Sequence, residues 1–341
     1  MIQEHTSILA LAPNWLGDAA MATPAFRALK QLHKNAFLTI AGSAAVCALL
    51  EESPWADALH PLPVRAGLPV LRREAHSLKN AGRDLIVVFP HSFRSALLAR
   101  LIGGKERIGY ARNGRSFLLT HPVEPYREEG RITPIYMSEE YLNLVAPAGA
   151  IGDNAGLELG VSAVLLKETK ERLHGTTPLV GIAPGAAFGP SKRWIPEAFA
   201  KTADLLFEKR GARCVLITGP NEKDLAQEIR AAAKHPLLEM PRADAGIAGL
   251  KAVTASLDLL ICNDSGPRHI AVAFHVPVVC IMGSTSPRYT DSPYEKGTVI
   301  REPLPCSPCQ KAVCPLGHHL CMRLITPERV FSAADALLPS A

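Results

Sequence analysis

The stretch that decides the fold is Leu179–Trp194, which reads LVGIAPGAAFGPSKRW. Its first five residues form a short apolar run, and two glycines and two prolines follow within the next seven positions. A short apolar run bounded by Gly and Pro is typical of a strand buried on both faces of a parallel sheet. Ser7–Asp18, SILALAPNWLGD, has the same arrangement near the start of the chain. Each half of the sequence therefore contains one copy of this strand-and-loop pattern.

Further apolar runs alternate with helical patterns in both halves. In the first half, the predicted strands and helices after the opening strand are 19–33 (helix), 37–41 (strand), 84–89 (strand) and 91–102 (helix). In the second half, the predicted strands are 179–183, 213–218, 258–262 and 277–282, separated by helices at about 196–210, 221–235, 244–256 and 265–275. This alternation predicts an α/β protein with two Rossmann-like, doubly wound domains that face one another.

The domain limits follow from length and from one polar segment. At a prior of roughly 150 residues per domain, 341 residues correspond to about two domains. Lys167–Thr177, KETKERLHGTT, is the best candidate for a linker. The predicted domains are therefore 1–170 and 178–325. A last helix, in the region 327–341 and beginning at Pro327, is expected to pack back on the N-terminal domain.

Composition excludes several classes of protein. The chain is 48% hydrophobic and 20% charged, so it is too apolar to be mainly disordered. Its apolar runs are shorter than the ~20 residues that a membrane span needs. The N-terminus has no basic region and no small-residue cleavage site, so no secretory signal is evident. A cytoplasmic protein is expected.

The net charge of +5 is unevenly distributed. Between Pro61 and Val123 there are 11 Lys and Arg residues but only 3 Asp and Glu residues. One interpretation is a polyanionic partner for this part of the first domain. The other is an ordinary solvated face.

Ligands of open parallel sheets bind beyond the carboxyl ends of the strands, so the residues after each predicted strand are the candidates. Gly17 and Asp18 follow the first strand. Gly17 allows a tight turn, while Asp18 is either a helix-capping carboxylate or a general base.

Three loops of the second half suit an anion. Lys192 and Arg193 follow a Gly- and Pro-rich segment and either approach a phosphate or are surface charges. In Asn263–His269, Asp264 or Ser265 would cap a helix whose exposed amides lie beside Gly266. A further loop, beginning with Gly283 and Ser284, follows the next strand. Together these loops indicate a nucleotide diphosphate.

Two further side chains are candidates in the same half. His269 would lie in the first helical turn and reach the same ligand. Glu222 either begins a helix or accepts a hydrogen bond from ribose hydroxyls.

The chain has eight cysteines, and four of them are clustered with the spacing Cys306-x2-Cys309-x4-Cys314-x6-Cys321. Disulfides are rare in the cytosol, so the alternatives are a structural zinc site and a cluster of reduced thiols. An iron–sulfur centre is a weaker third interpretation. The other four cysteines are expected to be buried.

Four of these stretches together identify a resemblance. PNWLGDAAMATP (13–24), PGAAFGPSKRW (184–194), NDSGPRHIAVA (263–273) and GSTSPRY (283–289) resemble, in the same order, the ADP-heptose:lipopolysaccharide heptosyltransferases. The four-cysteine tail is not part of that pattern. The resemblance implies a GT-B fold, with two Rossmann-like domains and a cleft. It also implies a metal-independent, inverting transfer of L-glycero-D-manno-heptose from ADP-heptose to the first heptose of the lipopolysaccharide inner core.

The resemblance also implies roles for individual residues. Asp18 would be the catalytic base, and Lys192 would stabilise the departing ADP. Residues implied for donor binding are Gly17, Ser191, Arg193, Glu222, Asp264, Ser265, Gly266, His269, Gly283 and Ser284. The anionic acceptor would be met by basic residues of the first domain, with Arg65, Arg94, Arg112 and Arg115 as candidates. Because that acceptor is lipid-anchored, peripheral contact with the inner face of the cytoplasmic membrane is expected.

Two alternative functions are also compatible with the sequence. One is a related GT-B enzyme, such as an epimerase or a glycosyltransferase that uses another nucleotide sugar. The other is a nucleic-acid-binding module built on the basic stretch and the cysteines. The sequence contains no nucleic-acid-binding motif, so no nucleic acid partner is expected.

Overall fold

A computed structural model describes residues 5–63, 67–173, 175–241 and 245–338. The chain divides into two compact units, Met1–Gly160 and Val161–Ala341. The longest described helix has 15 residues. Within the described ranges, no helix combines the length and the apolar character needed to cross a bilayer.

The first unit is a six-stranded parallel sheet with helices between the strands. Its strands are β1 (Ser7–Leu11), β2 (Phe37–Gly42), β3 (Ala58–Pro61), β4 (Leu85–Val88), β5 (Glu106–Tyr110) and β6 (His121–Val123), and a small hairpin follows with β7 (Arg127–Glu128) and β8 (Arg131–Ile132). Its helices are α1 (Leu16–Met21), α2 (Thr23–Leu32), α3 (Ala44–Leu50), α4 (Leu68–Ser77), α5 (Phe93–Ile102) and α6 (Met137–Val145). The strand order is β3-β2-β1-β4-β5-β6.

The second unit repeats this plan. Its strands are β9 (Leu179–Ala183), β10 (Arg213–Leu216), β11 (Leu238–Glu239), β12 (Leu259–Asn263), β13 (Val278–Ile281) and β14 (Gly297–Ile300). Its helices are α7 (Ala163–Arg172), α8 (Pro196–Arg210), α9 (Lys223–Ala232), α10 (Gly246–Thr254), α11 (Gly266–Ala273), α12 (Leu320–Arg323) and α13 (Pro327–Leu337). The strand order β11-β10-β9-β12-β13-β14 is again all parallel.

Both sheets are doubly wound, as the sequence predicts. The strand order reverses between β1 and β4 in the first unit and between β9 and β12 in the second. These central strands are buried on both faces; Ile8, Val180 and Ile261, for example, have no exposed surface. Each reversal leaves a crevice at the carboxyl ends of the strands. The loops after β1, β9 and β12 therefore begin where a ligand can bind.

The predicted helix 19–33 is in fact two helices, with the break at Ala22. Pro24 is the cause, because proline has no backbone N–H and its ring clashes with the carbonyl four residues earlier. The Thr23 hydroxyl donates to the Ala20 carbonyl at 2.7 Å and satisfies part of the interrupted helix end. The break leaves α1 as a short helix of 6 residues that follows the loop after β1.

The linker differs from expectation. The unit boundary lies after Gly160, and most of the expected linker belongs to α7 in the second unit. The last helix belongs to the second unit, and its expected packing on the N-terminal domain stays a prediction. α13 contacts α8 and strands β12–β14 of the second unit, and it buries Val330 and Ala334 in that unit's core.

Candidate functional site

The strand β12 ends at Asn263, and α11 begins three residues later at Gly266. Ser265 occupies the N-cap position, but its side chain accepts no capping hydrogen bond. Its hydroxyl oxygen is buried and has no hydrogen-bond partner among the described residues. The prediction that Asp264 caps this helix is wrong. An uncapped helix N-terminus with an unused hydroxyl beside it is suited to an anion.

Asp264 is instead the centre of a buried ion-pair network. Lys192 Nζ lies 2.6 Å from Asp264 Oδ2 and 2.9 Å from the Asp264 carbonyl oxygen. Thr285 donates to Oδ2 at 2.7 Å, and Arg268 Nη1 donates to Oδ1 at 3.2 Å. Burial alone would raise the pKa of Asp264, but the charges of Lys192 and Arg268 outweigh it and hold the pKa below its ordinary value. The carboxylate is therefore ionised and fixes the Lys192 ammonium.

The Lys192 ammonium stays accessible to a ligand although Asp264 fixes its position. Its side chain is 15% exposed, whereas that of Asp264 is 2% exposed. The ammonium also lies 5.4 Å from the centre of the Phe188 ring, which is 42% exposed. Of the two interpretations of Lys192, a phosphate ligand or a surface charge, the second does not fit this fixed position.

Arg268 is a residue that sequence reasoning missed. It is fully buried and contacts Glu295 through two hydrogen bonds of 2.8 and 3.1 Å. It also donates to Asp291 and Thr290 at 3.1 Å. Burial raises the pKa of Glu295 even though Arg268 opposes the shift. The four-residue spacing from Asp264 to Arg268 was the available signal.

His269 is buried within the second unit rather than displayed to solvent. It is 2% exposed, and its Nδ1 has no hydrogen-bond partner among the described residues. Burial, with the nearby charge of Arg268, lowers the pKa of His269 to about 3. The imidazole is therefore neutral, and a direct contact with a ligand stays a prediction.

Glu222 lies against the loop that follows β9. Its carboxylate occupies the space that a Cβ at Gly185 would need, which explains the glycine there. Glu222 Oε2 also accepts a hydrogen bond of 2.8 Å from the Gly219 N–H. The carboxylate is thus brought to the Gly185 loop, and its predicted contact with ribose stays untested.

The Ser191 and Ser284 hydroxyls form hydrogen bonds within the second unit. Their hydroxyl oxygens lie 3.0 Å apart, and Ser191 Oγ is also 2.5 Å from the Lys311 carbonyl oxygen. They are 2% and 1% exposed. The Gly283 carbonyl accepts a bond of 2.7 Å from the Ser307 hydroxyl. These residues fix the segment around the cysteines to the two loops, so direct donor contact by their side chains is not supported.

Gly283 and Arg193 have different surroundings. A Cβ at Gly283 would lie 2.6 Å from Met322 Sδ and 2.8 Å from Cys321 Sγ, so this glycine permits close packing of the chain. Arg193 is half-buried, and its Nε has no hydrogen-bond partner among the described residues. Donor binding by Arg193 stays a prediction.

In the first unit, Asp18 lies in the first turn of α1, and Trp15 holds the N-cap position. The interpretation of Asp18 as the cap is therefore wrong. The side chain is partly exposed, while its neighbour Gly17 is buried. Burial, and then the charge of Asp18, raise the pKa of the Tyr141 hydroxyl. This carboxylate thus lies close to a buried tyrosine, at the carboxyl end of the sheet.

A cavity of about 90 Å³ lies at the same edge of the first unit's sheet. Its lining comes from the loops after β1, β2, β3 and β4 and from helices α4 and α5. Polar lining residues are Asn14, Ser43, Glu74, Ser92, Arg94 and Ser95. One of the four arginines predicted to meet the acceptor, Arg94, is among them.

Of the other three arginines predicted to bind the acceptor, the two that the structure describes do not line this cavity. Arg115 is fully buried and donates to the Pro90, Ser92 and Tyr110 carbonyls, so it supports the loop after β4 and its predicted acceptor contact is not supported. Arg112 is half-buried and pairs with Glu140 at 3.1 Å. Arg65 lies outside the described residues.

The four clustered cysteines line one small cavity, of about 20 Å³, together with His318 and His319. The neighbouring backbone N–H groups, that of His319 first, lower the pKa of the Cys314 thiol. Within the described chain, however, no three His, Cys, Asp or Glu side chains are already arranged to hold a metal ion. The zinc hypothesis stays a prediction, and it requires the sulfurs to move towards one another.

The neutral state of His269 predicts a pH-dependent stability. Unfolded, this histidine takes up a proton near pH 6.5; folded, it does so only near pH 3. Between these values the unfolded chain binds more protons, so the free energy of unfolding falls as the pH is lowered. His269→Gln removes this proton and should reduce the slope by up to about 1.4 kcal/mol per pH unit.

Chemical denaturation from pH 7 to pH 4, followed by circular dichroism, measures this slope. The exposed His76→Gln is the matched control and should leave the slope as in the wild type. An identical slope in His269→Gln and the wild type would show that folding does not lower the pKa of His269.

The zinc hypothesis is tested by elemental analysis of protein purified without chelator. About one zinc per chain is expected, together with loss of that metal in Cys309→Ser and Cys314→Ser. Cys47→Ser, which changes a buried cysteine of the first unit, is the control and should keep the metal. A folded, metal-free wild type in which the four clustered thiols react with a thiol reagent would disprove the hypothesis.

Comparison with known proteins identifies the family of the chain. The family model for glycosyltransferase family 9 (heptosyltransferase) matches residues 71–320. The chain is 30% identical to lipooligosaccharide heptosyltransferase 2 of Campylobacter jejuni, over 96% of this chain and 96% of the relative. It is also 30% identical to lipopolysaccharide heptosyltransferase 2 of Escherichia coli, over 97% and 98% of the two chains.

Solved structures show the same fold. The structure of E. coli ADP-heptose lps heptosyltransferase II has a TM-score of 0.80 at 26% identity, covering 97% of this chain and 98% of that chain. A glycosyltransferase family 9 protein from Veillonella parvula has a TM-score of 0.87 at 22% identity, covering 99% and 98%. The extent of these matches shows that the chain belongs to glycosyltransferase family 9, the heptosyltransferases.

Proposed function

We propose that this protein transfers a heptose from ADP-heptose to a heptose of the lipopolysaccharide inner core. The similarity to heptosyltransferase 2 enzymes over nearly the whole chain supports the reaction class and both substrates. The observation that carries the proposal is the uncapped N-terminus of α11 beside the fixed Lys192. This arrangement suits the diphosphate of a nucleotide sugar.

The second unit binds the donor. The amides of Ser265 and Gly266 donate to the diphosphate at the start of α11, where the helix dipole also favours negative charge. Lys192 contributes the charge that compensates the leaving ADP. Glu222, placed against Gly185, accepts a hydrogen bond from the ribose. Asp264 and Arg268 act through Lys192, and we assign them as positioning residues.

The first unit binds the acceptor, and Asp18 is its general base. Asp18 accepts the proton of the acceptor hydroxyl as that oxygen forms a bond to the anomeric carbon. The bond between the anomeric carbon and the phosphate oxygen of ADP breaks, and its electron pair leaves with ADP. Attack from the face opposite ADP inverts the anomeric configuration. None of these steps is assigned to a metal ion.

The acceptor binds in the cavity beyond β1, β2 and β4. Arg94 and the hydroxyls of Ser43, Ser92 and Ser95 line this cavity and match a phosphorylated sugar. The basic excess of Pro61–Val123 attracts the same polyanion over a longer range. Because this acceptor is anchored in lipid, we infer that the enzyme works at the inner face of the cytoplasmic membrane.

The role of Asp18 is tested in an assay with ADP-heptose and heptose-truncated lipopolysaccharide, with the product scored by mass. The wild type should add one heptose, and Asp18→Asn should lower kcat by about 10²–10⁴ because the acceptor hydroxyl keeps its proton. ADP affinity, measured by calorimetry, should stay within about twofold of the wild type, since the altered group acts on the acceptor.

The exposed Glu124→Gln is the matched control and should behave as the wild type. Equal losses of ADP affinity and turnover in Asp18→Asn would contradict the role as base. Transfer from another nucleotide sugar but none from ADP-heptose would instead favour the rival glycosyltransferase.

The role of Lys192 is tested by binding alone. Lys192→Ala should weaken ADP by about 10- to 100-fold, the usual effect of losing a hydrogen bond to a charged group. Isothermal titration calorimetry with ADP measures it, and circular dichroism checks the fold. Lys167→Ala, an exposed lysine on α7, is the control. An ADP affinity equal to that of the wild type would show that Lys192 does not contribute to ADP binding.

A further inference from the structure

The outer face of α5 carries large apolar side chains that stay wholly or partly exposed, although Leu97 also packs against the core. Phe93 is 45% exposed and Leu101 is 39% exposed, while Leu97 between them is partly exposed. The spacing of four residues places all three on one face of the helix. The opposite face buries Ala96, Leu98, Ala99 and Ile102 in the first unit. The helix is therefore apolar on both its inner and its outer face.

Phe117 extends this outer face. It lies in a short 3₁₀ turn, Ser116–Leu118, and is 74% exposed. Its ring centre is 6.1 Å from that of Phe93, so the two aromatic side chains form one exposed pair. We call Phe93, Leu97, Leu101 and Phe117 the α5 patch. Clustered exposed apolar side chains of this kind mark interaction surfaces, whereas single ones do not.

The α5 patch is bordered by positive charge. Arg107 donates to the Leu118 carbonyl at 3.0 Å, which places it beside Phe117. Arg100 is exposed on α5 and makes no ion pair within the ranges that the structure describes. Burial lowers the pKa of the Arg107 guanidinium, and the positive charge of Arg100 lowers it further. Two cations held near each other without a shared carboxylate favour an anionic partner.

The surrounding sequence also carries a net positive charge. From Phe93 to Leu119 there are six Lys and Arg residues and one Glu. Exposed Phe and Leu side chains with a cationic border are the features of proteins that bind an anionic bilayer at its interface. The apolar side chains enter the boundary of headgroups and acyl chains, and the arginines reach the lipid phosphates.

We propose that the α5 patch, with Arg100 and Arg107 at its border, is the surface by which this protein docks on an anionic phospholipid bilayer. The inference rests on the proposed function, since the lipid anchor of the acceptor gives the enzyme a reason to meet a membrane. It assigns that contact to one face of one helix and its neighbouring turn, distinct from the cavity that holds the acceptor sugar.

The test is co-sedimentation with vesicles that contain no lipopolysaccharide. The wild type should bind vesicles containing phosphatidylglycerol and should bind neutral phosphatidylcholine vesicles at least about tenfold more weakly. Arg100→Gln should weaken binding to the anionic vesicles about fivefold, the usual effect of one basic residue at such a surface. The double variant Leu101→Ser/Phe117→Ser should weaken it about tenfold or more.

Matched controls separate the patch from general charge and general hydrophobicity. Arg72→Gln changes an exposed arginine of α4 in the same basic stretch, and Ile151→Ser changes a residue that is 82% exposed elsewhere in the first unit. Both should bind vesicles as the wild type does. Every variant should keep wild-type ADP affinity, and Leu101→Ser/Phe117→Ser should keep wild-type transfer to a water-soluble acceptor oligosaccharide.

Two results would overturn the inference. One is wild-type vesicle binding by both patch variants. The other is a loss of self-association in Leu101→Ser/Phe117→Ser with unchanged vesicle binding, which would make the patch an interface between copies of the chain. Failure of the proposed function is distinguishable, because it would abolish heptose transfer to the soluble acceptor while patch-dependent vesicle binding remained.

Discussion

The carboxylate of Asp264 is buried between two cations at the point where β12 passes into α11. Lys192 reaches it from the loop after β9, and Arg268 reaches it from the first turn of α11 itself. An ion pair this deeply buried is stable only when its polar atoms are all used. Thr285 and Glu295 complete the set on the side of β13 and β14. Removing one member would leave an uncompensated buried charge, at a cost of about 3–5 kcal/mol. The network therefore fixes the position of the Lys192 ammonium relative to the helix N-terminus.

The topology explains why the network lies at the proposed nucleotide site. The sheet order reverses between β9 and β12, so their carboxyl ends diverge and leave room for a ligand. The cysteine-containing segment stabilises the same edge, because the Lys311 carbonyl and the Gln310 amide bind the loops of Ser191 and Ser284. Those serines, implied as donor ligands by resemblance, instead hold the loops in place. In the proposed site the donor is therefore left to the backbone amides at the start of α11, Lys192 and Glu222.

Much of the fold could be predicted from the sequence, because apolar runs flanked by Gly and Pro have a local physical cause. Leu179–Ala183 and Pro196–Arg210 have the predicted bounds, or nearly so, since packing and local propensity agree there. The division of the helix at Ala22 was also encoded, by Pro24, but the apolar pattern ran across it. The packing of α13 was not encoded locally, because an amphipathic helix does not specify which domain its apolar face meets.

The candidate site, too, could be predicted from the sequence only in part. Glycine and helix-start positions indicated the loops after β9 and β12, while the buried partners of those loops depend on tertiary packing. Arg268 and Glu295 are 27 residues apart in sequence, and no spacing rule connects them. Likewise, Arg115 appeared as one of several basic residues of the first domain, yet burial makes it a support for the loop after β4.

The most direct test of the account is a crystal structure of the enzyme with ADP. In that complex, the diphosphate oxygens should accept hydrogen bonds from the Ser265 and Gly266 amides and lie within about 3 Å of Lys192 Nζ, the usual distance of a charge-assisted bond. Lys192 should keep its contact with Asp264 in that complex. A diphosphate bound away from the start of α11, with Lys192 turned to solvent, would contradict donor binding by this helix and this lysine.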